Sequence, residues 1–479
     1  MLLEDLIREL EIQEIKGDIN KEITSIAYDS RKAKENGIFV CIDGYKQDGH
    51  KFIENAVANG TKVIFVQKDV EKIDGVTIIK VKDTRYALAY ISNVFCGNPS
   101  KNMNIVGITG TKGKTTTTYM IKSILEKFNQ KVGLIGTIVN KIGDVTLESS
   151  RTTPECYDLQ MLFKEMYEKN VESVVMEVSS HALELSRVAC VDFNIGAFTN
   201  LSQDHLDFHK TLDNYLDAKI KLFNLCKTGV VNIDSKYGKK VVEKAKCKVY
   251  TYGINNDADF MAYDIKTYPN RVTFKVKSDF INDEILVNIP GIFSVYNALC
   301  AISITALMNI PCEAIKEGLQ NVVVPGRAEI IETNDKYTIM VDYAHSPDSL
   351  ENILKTVKEY AKGRVVSVFG CGGDRDTTKR PIMGEISGRL ADFTIVTSDN
   401  PRTEEPEAII KDIEEGIKKV TNNYVTITDR KSAIKYAIDN AMQDDIIVLA
   451  GKGHETYQIF KDKTIHFDER EVVRDILNG

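Results

Sequence analysis

The sequence lacks the features that would place it in several common classes of protein. Its nine cysteines contain no C-x-x-C pair, which argues against a zinc cluster and a disulfide framework and favours a reducing compartment. No stretch approaches ~18 consecutive apolar residues, and the acidic start MLLEDLIREL has neither the basic residues nor the apolar run of a signal peptide. The net charge is −7 without any lysine or arginine block, so charge gives no reason to expect nucleic acid or a membrane as partner. We therefore expect a cytoplasmic protein with small-molecule ligands.

The length and the strand pattern predict three α/β domains. A chain of 479 residues that is 43% hydrophobic can bury several cores, and its length suggests about three domains. Residues 1–98 alternate short strands and helices up to a Gly-Asn-Pro turn, which indicates a small α/β domain. Residues 99–326 contain almost wholly apolar strands, typical of a parallel sheet covered on both faces, and then alternating, antiparallel-type strands between 260 and 289. Residues 327–479 repeat the strand–helix rhythm and predict a second open, Rossmann-like sheet.

The predicted strands are short apolar runs, and polar residues follow where several of them end. The runs lie at 37–42, 62–67, 76–81, 105–108, 132–136, 173–178, 195–200, 230–234, 338–343, 364–370, 394–398, 424–428 and 446–451. Helices are predicted at 50–58, 84–95, 211–226, 294–308 and 313–320. Because open parallel sheets bind ligands at the carboxyl ends of their strands, we expect the functional residues in those polar segments.

The segment from Asn104 to Thr118, NIVGITGTKGKTTTT, has the order of a strand, a glycine loop and a helix start. Such a loop points several backbone N–H groups at one phosphate, while Lys114 reaches the terminal phosphates and Thr115 can ligate Mg²⁺. The spacing is one glycine short of the usual phosphate loop, because Ile108 stands at the first glycine position. A tight strand-to-helix turn is the alternative. The residues predicted to bind ATP here are Gly110, Thr111, Lys112, Gly113, Lys114, Thr115 and Thr116.

Two further side chains could face the metal ion of a nucleotide. Glu177 ends a strand predicted to neighbour the phosphate-loop strand, and His205 follows another strand. One carboxylate and one imidazole suit a second metal position. The alternative is a buried Glu177 paired with an arginine or an N–H group.

The predicted helix 211–226 carries a lysine inside its apolar face. The apolar stripe consists of Leu212, Tyr215, Leu216, Leu222, Phe223 and Cys226. Lys219 falls within that stripe, where it either snorkels towards water or has a lowered pKa. A neutral amine can add CO₂ to become a carbamate, which acts as a long carboxylate. From the residues alone, snorkelling is favoured.

Several segments of the sequence resemble the Mur ligases of peptidoglycan synthesis. They are GTKGKTT from Gly110, EVSSH from Glu177, DHLDFH from Asp204, Y-x-x-A-K-x-x-L-F from Tyr215, the stretch 291–297, VPGRAE from Val324, DYAHSPDSL from Asp342, GCGGDRD from Gly370, DNPR from Asp399 and GKGHE from Gly451. The last two narrow the resemblance to the MurE type. Ser294 departs from the asparagine of many relatives, with little expected consequence, because the family pairs Asn297 with adenine.

The resemblance implies an ATP- and Mg²⁺-dependent ligase that adds meso-2,6-diaminopimelate to UDP-MurNAc-L-Ala-D-Glu. The first domain would bind the UDP part, the central domain ATP, and the C-terminal domain the incoming amino acid. Lys219 would be an N6-carboxylysine that positions Mg²⁺. The protein would act as a monomer in the cytoplasm.

The resemblance also implies the binding residues. The UDP-substrate would contact Ser30, Gln47, His50, Thr152, Thr153, Ser179 and Arg187. The nucleoside end of ATP would contact Asn297, Arg327 and Asp342. The diaminopimelate would contact Arg375, Asp399, Asn400, Pro401, Arg402, Gly451 and Glu455. The catalytic and metal-binding groups would be Lys114, Thr115, Glu177, His205 and carbamylated Lys219.

Three alternatives compete with this interpretation. A MurE-type ligase could add L-lysine instead. Folylpolyglutamate synthetase resembles the same central fold, but it lacks a UDP-binding domain and the DNPR motif. A phosphate-loop protein could also hold ATP without forming amides, although storage of a nucleotide would not need several metal ligands.

Overall fold

The computed structural model describes residues 1–44, 47–331, 333 and 336–478. It divides into two compact units, Met1–Met261 with Cys300–Ile315, and Ala262–Leu299 with Lys316–Gly479. Across the described ranges, every helix is too short or too polar to span a bilayer.

The elements follow one another in an α/β order. The strands are β1 (Ile12–Lys16), β2 (Ser25–Ala27), β3 (Gly37–Val40), β4 (Val63–Val66), β5 (Thr77–Val81), β6 (Asn104–Thr109), β7 (Val132–Ile135), β8 (Val139–Ile142), β9 (Val145–Glu148), β10 (Ser173–Glu177), β11 (Phe193–Phe198), β12 (Cys226–Asn232), β13 (Lys248–Gly253), β14 (Phe260–Thr267), β15 (Val272–Lys277), β16 (Asn282–Val287), β17 (Glu329–Ile331), β18 (Thr338–Asp342), β19 (Val365–Phe369), β20 (Phe393–Val396), β21 (Tyr424–Thr426), β22 (Ile446–Ala450), β23 (Tyr457–Ile459) and β24 (Thr464–His466). The helices are α1 (Leu3–Ile7), α2 (Ile53–Ala58), α3 (Thr84–Phe95), α4 (Lys114–Lys127), α5 (Cys156–Glu168), α6 (Ser180–Glu184), α7 (Leu206–His209), α8 (Leu212–Ile220), α9 (Gly238–Lys244), α10 (Ile292–Leu307), α11 (Cys312–Gln320), α12 (Pro347–Tyr360), α13 (Lys379–Leu390), α14 (Pro406–Ile417), α15 (Arg430–Asp439) and α16 (Glu469–Asn478). Short 3₁₀ segments lie at Ser30–Lys32, Gly49–Phe52, Pro99–Asn102 and Lys221–Asn224.

The first sheet has the strand order β1-β5-β4-β3-β2. Only β1 pairs antiparallel within it. Its central strands are buried on both faces, with Ile38 and Phe65 in one core and Phe39 and Ile64 in the other. This double burial explains the unbroken apolar runs of the sequence.

The part of the second sheet that lies wholly in the same unit has the strand order β13-β12-β11-β6-β10-β7-β8-β9. It is parallel from β13 to β7, while β8 and β9 add an antiparallel hairpin. The phosphate-loop strand β6 therefore lies between β10 and β11. The loops that follow these three strands leave from the same edge of the sheet.

The other unit contains a six-stranded sheet of order β17-β18-β22-β19-β20-β21. All its neighbours are parallel except β17 and β18. Two antiparallel pairs, β15 with β16 and β23 with β24, lie outside this sheet. The predicted α/β class and the second open sheet are confirmed.

The structure corrects the predicted helix 211–226. The helix α8 ends at Ile220, a 3₁₀ turn follows, and Cys226 begins β12 opposite Phe193. Leu222 and Phe223 stay buried because this turn leads directly into the sheet. The hairpin β8–β9 was not predicted, since its mostly polar residues give no core-facing pattern.

Candidate active site

The phosphate loop joins β6 to α4 and is held in place by the neighbouring strand β11. Gly113 has a φ of 84°, a left-handed conformation that suits glycine at the helix start. The Thr111 N–H donates to the Asn200 carbonyl at 2.9 Å, and the Lys112 N–H donates to Asn200 Oδ1 at 3.0 Å. The Thr199 hydroxyl donates to the Lys112 carbonyl at 2.6 Å. The loop is thus preformed by contacts from the strand beside it.

Two lysines converge on one carbonyl of this loop. Lys114 Nζ donates to the carbonyls of Gly110 and Thr111, both at 2.9 Å. Lys219 Nζ donates to the same Gly110 carbonyl at 2.8 Å. Its ammonium also lies 4.4 Å from the centre of the Tyr215 ring. Two amine groups therefore meet where the loop would hold phosphates.

Lys219 is buried and does not snorkel. Its exposed fraction is 1%, and burial, followed by repulsion from Lys114, holds its pKa well below the ordinary value of 10.5. A lowered pKa increases the fraction of neutral amine, the form that can add CO₂. The structure thus removes the reason for favouring snorkelling.

Glu177 reaches the start of the phosphate-loop helix. Thr115 Oγ1 donates to Glu177 Oε1 at 3.0 Å, and Thr137 donates to both carboxylate oxygens, its N–H at 2.9 Å and its hydroxyl at 3.1 Å. The carboxylate is buried, with 1% of the residue exposed. A buried carboxylate next to a hydroxyl oxygen fits Mg²⁺, which prefers oxygen ligands. Thr137 is a contact that the sequence analysis missed.

His205 lies in an aromatic cluster beside Lys219. It has a φ of 52° at the start of α7, and its ring centre is 5.0 Å from His181 and 6.2 Å from Tyr215. Its Nε2 lies 3.5 Å from Asp204. In the described part of the chain, no three His, Cys, Asp or Glu side chains form a group that could hold a metal ion. A metal role for His205 stays a prediction.

Four of the residues predicted for the UDP-substrate converge after β10. The Thr153 hydroxyl donates to the Glu177 carbonyl at 2.9 Å and accepts from the Ser179 N–H at 3.0 Å. Arg187 donates to the Thr153 carbonyl at 3.2 Å. The Thr152 hydroxyl lies 3.0 Å from that of Thr137. These side chains therefore form one hydrogen-bonded group next to Glu177.

The other three residues lie in loops of the first sheet. Ser30 is buried, and its carbonyl accepts from Asn59 Nδ2 at 2.9 Å. The His50 ring is held at both nitrogens, Nδ1 lying 2.6 Å from Asp48 and Nε2 accepting from the Gln67 N–H at 3.2 Å. Gln47 is exposed. The His50 ring thus orders its own loop, and its contact with substrate stays a prediction.

A cleft of about 780 Å³ opens between the first sheet's loops and the segment after β9. Tyr28 and Lys32 line one side, and Arg151, Glu155 and Asp158 line the other. These residues flank Ser30 and Thr152–Thr153 in sequence. Sequence neighbours of Ser30 and of Thr152–Thr153 therefore line one opening.

The residues predicted for the nucleoside belong to the other unit. Asn297 is buried in α10. The Arg327 guanidinium lies 4.7 Å from the centre of the Tyr343 ring, and its buried Nε has no hydrogen-bond partner among the described residues. Asp342 Oδ2 accepts from the Ala328 N–H at 2.8 Å. Arg327 thus offers a buried donor for a ligand.

Asn400, Lys452 and Glu455 form a closed hydrogen-bonded triangle at the ends of β20 and β22. Lys452 Nζ donates to Asn400 Oδ1 at 3.2 Å and to Glu455 Oε2 at 3.1 Å. Asn400 Nδ2 completes the triangle by donating to Glu455 Oε2 at 2.8 Å. Lys452 is fully buried. The sequence analysis missed it, although it lies within the GKGHE motif.

Arg402 lies against the glycine loop after β19. It has a φ of 54°, and its Nη1 donates to the Gly373 carbonyl at 2.8 Å. A Cβ on Gly373 would clash with the Pro401 carbonyl oxygen, so the loop needs glycine there. Arg375, in contrast, is exposed and donates to the Asp374 carbonyl at 3.1 Å. Arg402 thus lies on the same turn as Asn400, and Arg375 lies exposed in the glycine loop that Arg402 contacts.

The remaining predicted residues support this site through their backbones. The Asp399 carbonyl accepts from Gln458 Nε2 at 2.7 Å. Gly451, at a φ of 117°, lies so close to Asp399 that a Cβ would be 2.7 Å from its Oδ2. Pro401 is buried. Both motifs are therefore packed against each other.

His454 should make the protein acid-sensitive. Burial, and then repulsion from Arg327, lowers its pKa from 6.5 to about 4. The unfolded chain therefore binds a proton between pH 6.5 and 4 that the folded chain does not, so stability should fall by about 1–3 kcal/mol across this window. We expect His454→Gln to reduce that loss, measured as the change of the unfolding midpoint with pH.

His466 is a control, because its pKa is shifted in the opposite direction. Its hydrogen bond with Glu471 raises its pKa, so its contribution is present at low pH and is lost as pH rises. His466→Gln should therefore not reduce the loss of stability at acid pH. Identical pH profiles for His454→Gln and the unmodified protein would contradict the prediction.

The sheets and the loop between β6 and α4 define the class: an α/β phosphate-loop protein with a buried carboxylate and two lysines at the loop. Three models of the Mur ligase family match successive parts of the chain. "Mur ligase family, catalytic domain" matches residues 22–96, "Mur ligase middle domain" residues 108–305, and "Mur ligase, glutamate ligase domain" residues 326–453. The chain belongs to the Mur ligase family.

Two relatives show how close the similarity is. Proteins of Caldanaerobacter subterraneus and Clostridium perfringens are each 51% identical to this chain, which they match over 100% of its length. The match covers 99% of the first protein and 100% of the second. Both are named UDP-N-acetylmuramoyl-L-alanyl-D-glutamate--2,6-diaminopimelate ligase.

Solved structures share the fold. A structure of a ligase of the same name is 30% identical, with a TM-score of 0.75, and the match covers 100% of this chain and 99% of that one. A MurF ligase of Thermotoga maritima in complex with ADP has 16% identity and a TM-score of 0.63, with coverage of 95% and 96%. Folylpolyglutamate synthase of Mycobacterium tuberculosis has 18% identity and a TM-score of 0.61. Its match covers 77% of this chain and 92% of the synthase chain. The last two show a shared fold alone.

Proposed function

We propose that this chain is an ATP-dependent amide ligase of peptidoglycan precursor synthesis. It adds meso-2,6-diaminopimelate to the D-Glu side-chain carboxylate of UDP-MurNAc-L-Ala-D-Glu, giving ADP and phosphate. The observation that carries the proposal is the cluster of Asn400, Arg402, Lys452 and Glu455, which presents both charges needed for an amino acid with a charged distal end. The names of the relatives support the same reaction.

The first step requires an anion to attack an anion. The D-Glu carboxylate attacks the γ-phosphate of ATP, so positive charge must screen the repulsion. Lys114 and the backbone N–H groups of the glycine loop supply part of that charge. Thr115, Glu177 and a carbamylated Lys219 would hold Mg²⁺, which neutralises phosphate oxygens when bound.

The acyl phosphate formed in this step activates the carbonyl. The amine of the diaminopimelate attacks that carbonyl, and phosphate leaves from the tetrahedral intermediate to give the amide. Glu455 and the turn from Asn400 to Arg402 hold the distal end of the amino acid. Water must stay out of the site at this stage, because it would hydrolyse the acyl phosphate.

The choice of amino acid depends on Arg402. Diaminopimelate carries a second carboxylate beside its distal amine, which lysine lacks. A guanidinium can clamp a carboxylate with paired hydrogen bonds, and a site built to pair a group rejects an analogue lacking it by about 10⁴-fold, roughly 5 kcal/mol. Arg402→Ala should therefore raise the KM for diaminopimelate by roughly 30-fold or more, because truncating one partner of a buried charge pair costs about 2–5 kcal/mol.

The test follows phosphate release with UDP-MurNAc-L-Ala-D-Glu, ATP and Mg²⁺, and with either meso-diaminopimelate or L-lysine. The KM values for ATP and the UDP-substrate should be nearly unchanged in Arg402→Ala. Arg389→Ala, which removes a surface ion pair with Glu351 on the same unit, is the matched control. Efficient use of L-lysine by the unmodified protein would refute the assignment, and release of ADP without any amino acid would indicate a different class.

We also propose the division into domains 1–98, 99–326 and 327–479, acting as a monomer in the cytoplasm. Each sheet falls within one of these ranges. The family-model matches do so too, except that the third begins at residue 326, one residue before the last range. All nine cysteines are free, which suits a reducing compartment.

A further inference from the structure

The two halves of the amino-acid site come from strands that are not neighbours. The strand β20 leads through Ser398 into Asp399–Arg402, and β22 leads into Gly451–Glu455. In the sheet, β19 lies between these strands. The strand β19 pairs with both and sets their separation as far as Val396 and Ala450, but the two motifs follow these residues and lie beyond the paired part of the sheet.

Arg430 connects these two ends. It is the first residue of α15, and its side chain is fully buried. Its Nη2 donates to the Ala450 carbonyl at 2.9 Å, and its Nη1 donates to the Ser398 carbonyl at 3.3 Å. Each of these carbonyls belongs to the residue immediately before a binding motif. One planar guanidinium thus spans the end of β19 and contacts both halves of the site.

Glu469 neutralises the buried charge. Its Oε1 accepts from Arg430 Nε at 2.9 Å and from Nη2 at 2.7 Å, and the residue is fully buried at the start of α16. A buried ion pair seldom makes a fold more stable than an apolar pair of similar volume would. Stability alone therefore does not explain why a fully buried pair stands at this position.

We propose that Arg430 is a positioning residue for the incoming amino acid, which holds the Asp399–Arg402 and Gly451–Glu455 segments at the separation that lets them bind one ligand together. The inference rests on the proposed function, since it concerns the same site. Asn400 hydrogen-bonds to Lys452 and Glu455 across this gap, so a change in separation would stretch the triangle. Arg430 itself need not touch the ligand.

Arg430→Lys is the first test. Lysine keeps the charge opposite Glu469, but a single ammonium lacks the planar fork that reaches two carbonyls. We expect the KM for meso-diaminopimelate to rise at least about tenfold, because small misplacement of binding groups is costly, with kcat less affected. The KM values for ATP and the UDP-substrate should change by less than about twofold. An unchanged KM for diaminopimelate in a folded Arg430→Lys variant would overturn the proposal.

A second variant separates positioning from folding. Arg430→Met with Glu469→Met removes the charge pair while keeping apolar volume, so folding should survive even if Arg430→Lys is unstable. The positioning role predicts that this double variant also has a raised KM for diaminopimelate. A folded double variant with the normal KM would mean that the pair has a structural role only, and this result too would overturn the proposal.

Arg364→Met is the matched control. Arg364 pairs with Asp445 at 2.6 Å at the opposite ends of β19 and β22 in the same sheet. Its loss should lower the unfolding midpoint and leave the KM for diaminopimelate unchanged. Failure of the unmodified protein to use diaminopimelate would refute the proposed function, whereas normal use of it by the Arg430 variants would refute only the positioning role.

Discussion

Replacing Lys219 by alanine is expected to abolish ligation. The side chain is 1% exposed, its pKa is well below 10.5, and its Nζ shares the Gly110 carbonyl with Lys114. The charge of Lys114 disfavours a second ammonium group on that carbonyl. A carbamate on Lys219 would replace this repulsion by attraction to Lys114, and it would add a carboxylate-like ligand for Mg²⁺.

Turnover and carbon-13 NMR together test this prediction. Excess bicarbonate should not restore the turnover of Lys219→Ala, because alanine has no amine to carbamylate. Short-chain carboxylates should restore the turnover partly, because they can occupy the space that the lysine side chain leaves. In the unmodified protein, labelled bicarbonate should give a carbamate signal that Lys219→Ala lacks.

Lys219→Met is the matched control for packing. Methionine fills a similar apolar volume without an amine, so this variant should fold and remain inactive. Near-normal turnover in either variant would show that the lysine serves packing alone.

Replacing Lys114 by alanine is expected to reduce turnover by orders of magnitude. Removing a charge that stabilises phosphoryl transfer costs about 3 kcal/mol or more, or roughly 10²-fold or more in rate. Lys114 begins α4, and its Nζ donates to the carbonyls of Gly110 and Thr111, both at 2.9 Å. Since the head group faces the loop, the fold should be unaffected. Single-turnover kinetics and the unfolding midpoint measure the two effects separately.

Lys122→Ala provides the comparison on the same helix. Lys122 forms an ion pair with Glu126 at 2.6 Å, one turn further along α4, and should contribute at most a few tenths of a kcal/mol to stability. Its loss should leave turnover unchanged. If Lys114→Ala unfolds while Lys122→Ala does not, Lys114 has a structural role and the prediction is wrong.

Much of the fold and of the candidate site could be predicted because it depends on short, contiguous segments of the sequence. The strand, glycine loop and helix from Asn104 to Thr118 are contiguous, so their pattern alone predicts a phosphate loop. The position of Glu177 beside that loop also followed, because an apolar parallel strand ends there and β10 does pair with β6. Asn400 and Glu455 were predicted as site residues because they lie in polar segments after strands and in the family motifs. In the structure, the two side chains are hydrogen-bonded to each other.

The sequence by itself determined the α/β class, the phosphate loop and the family, because these depend on short segments and their local periodicity. Only the tertiary structure decided that Lys219 is buried against Gly110, that Lys452 ties Asn400 to Glu455, and that Arg430 joins the ends of β20 and β22. These contacts join residues 20 to 109 positions apart, except for Lys452 with Glu455. Periodicity reports only whether a residue faces a core; strand order and helix packing decide which distant group it meets there.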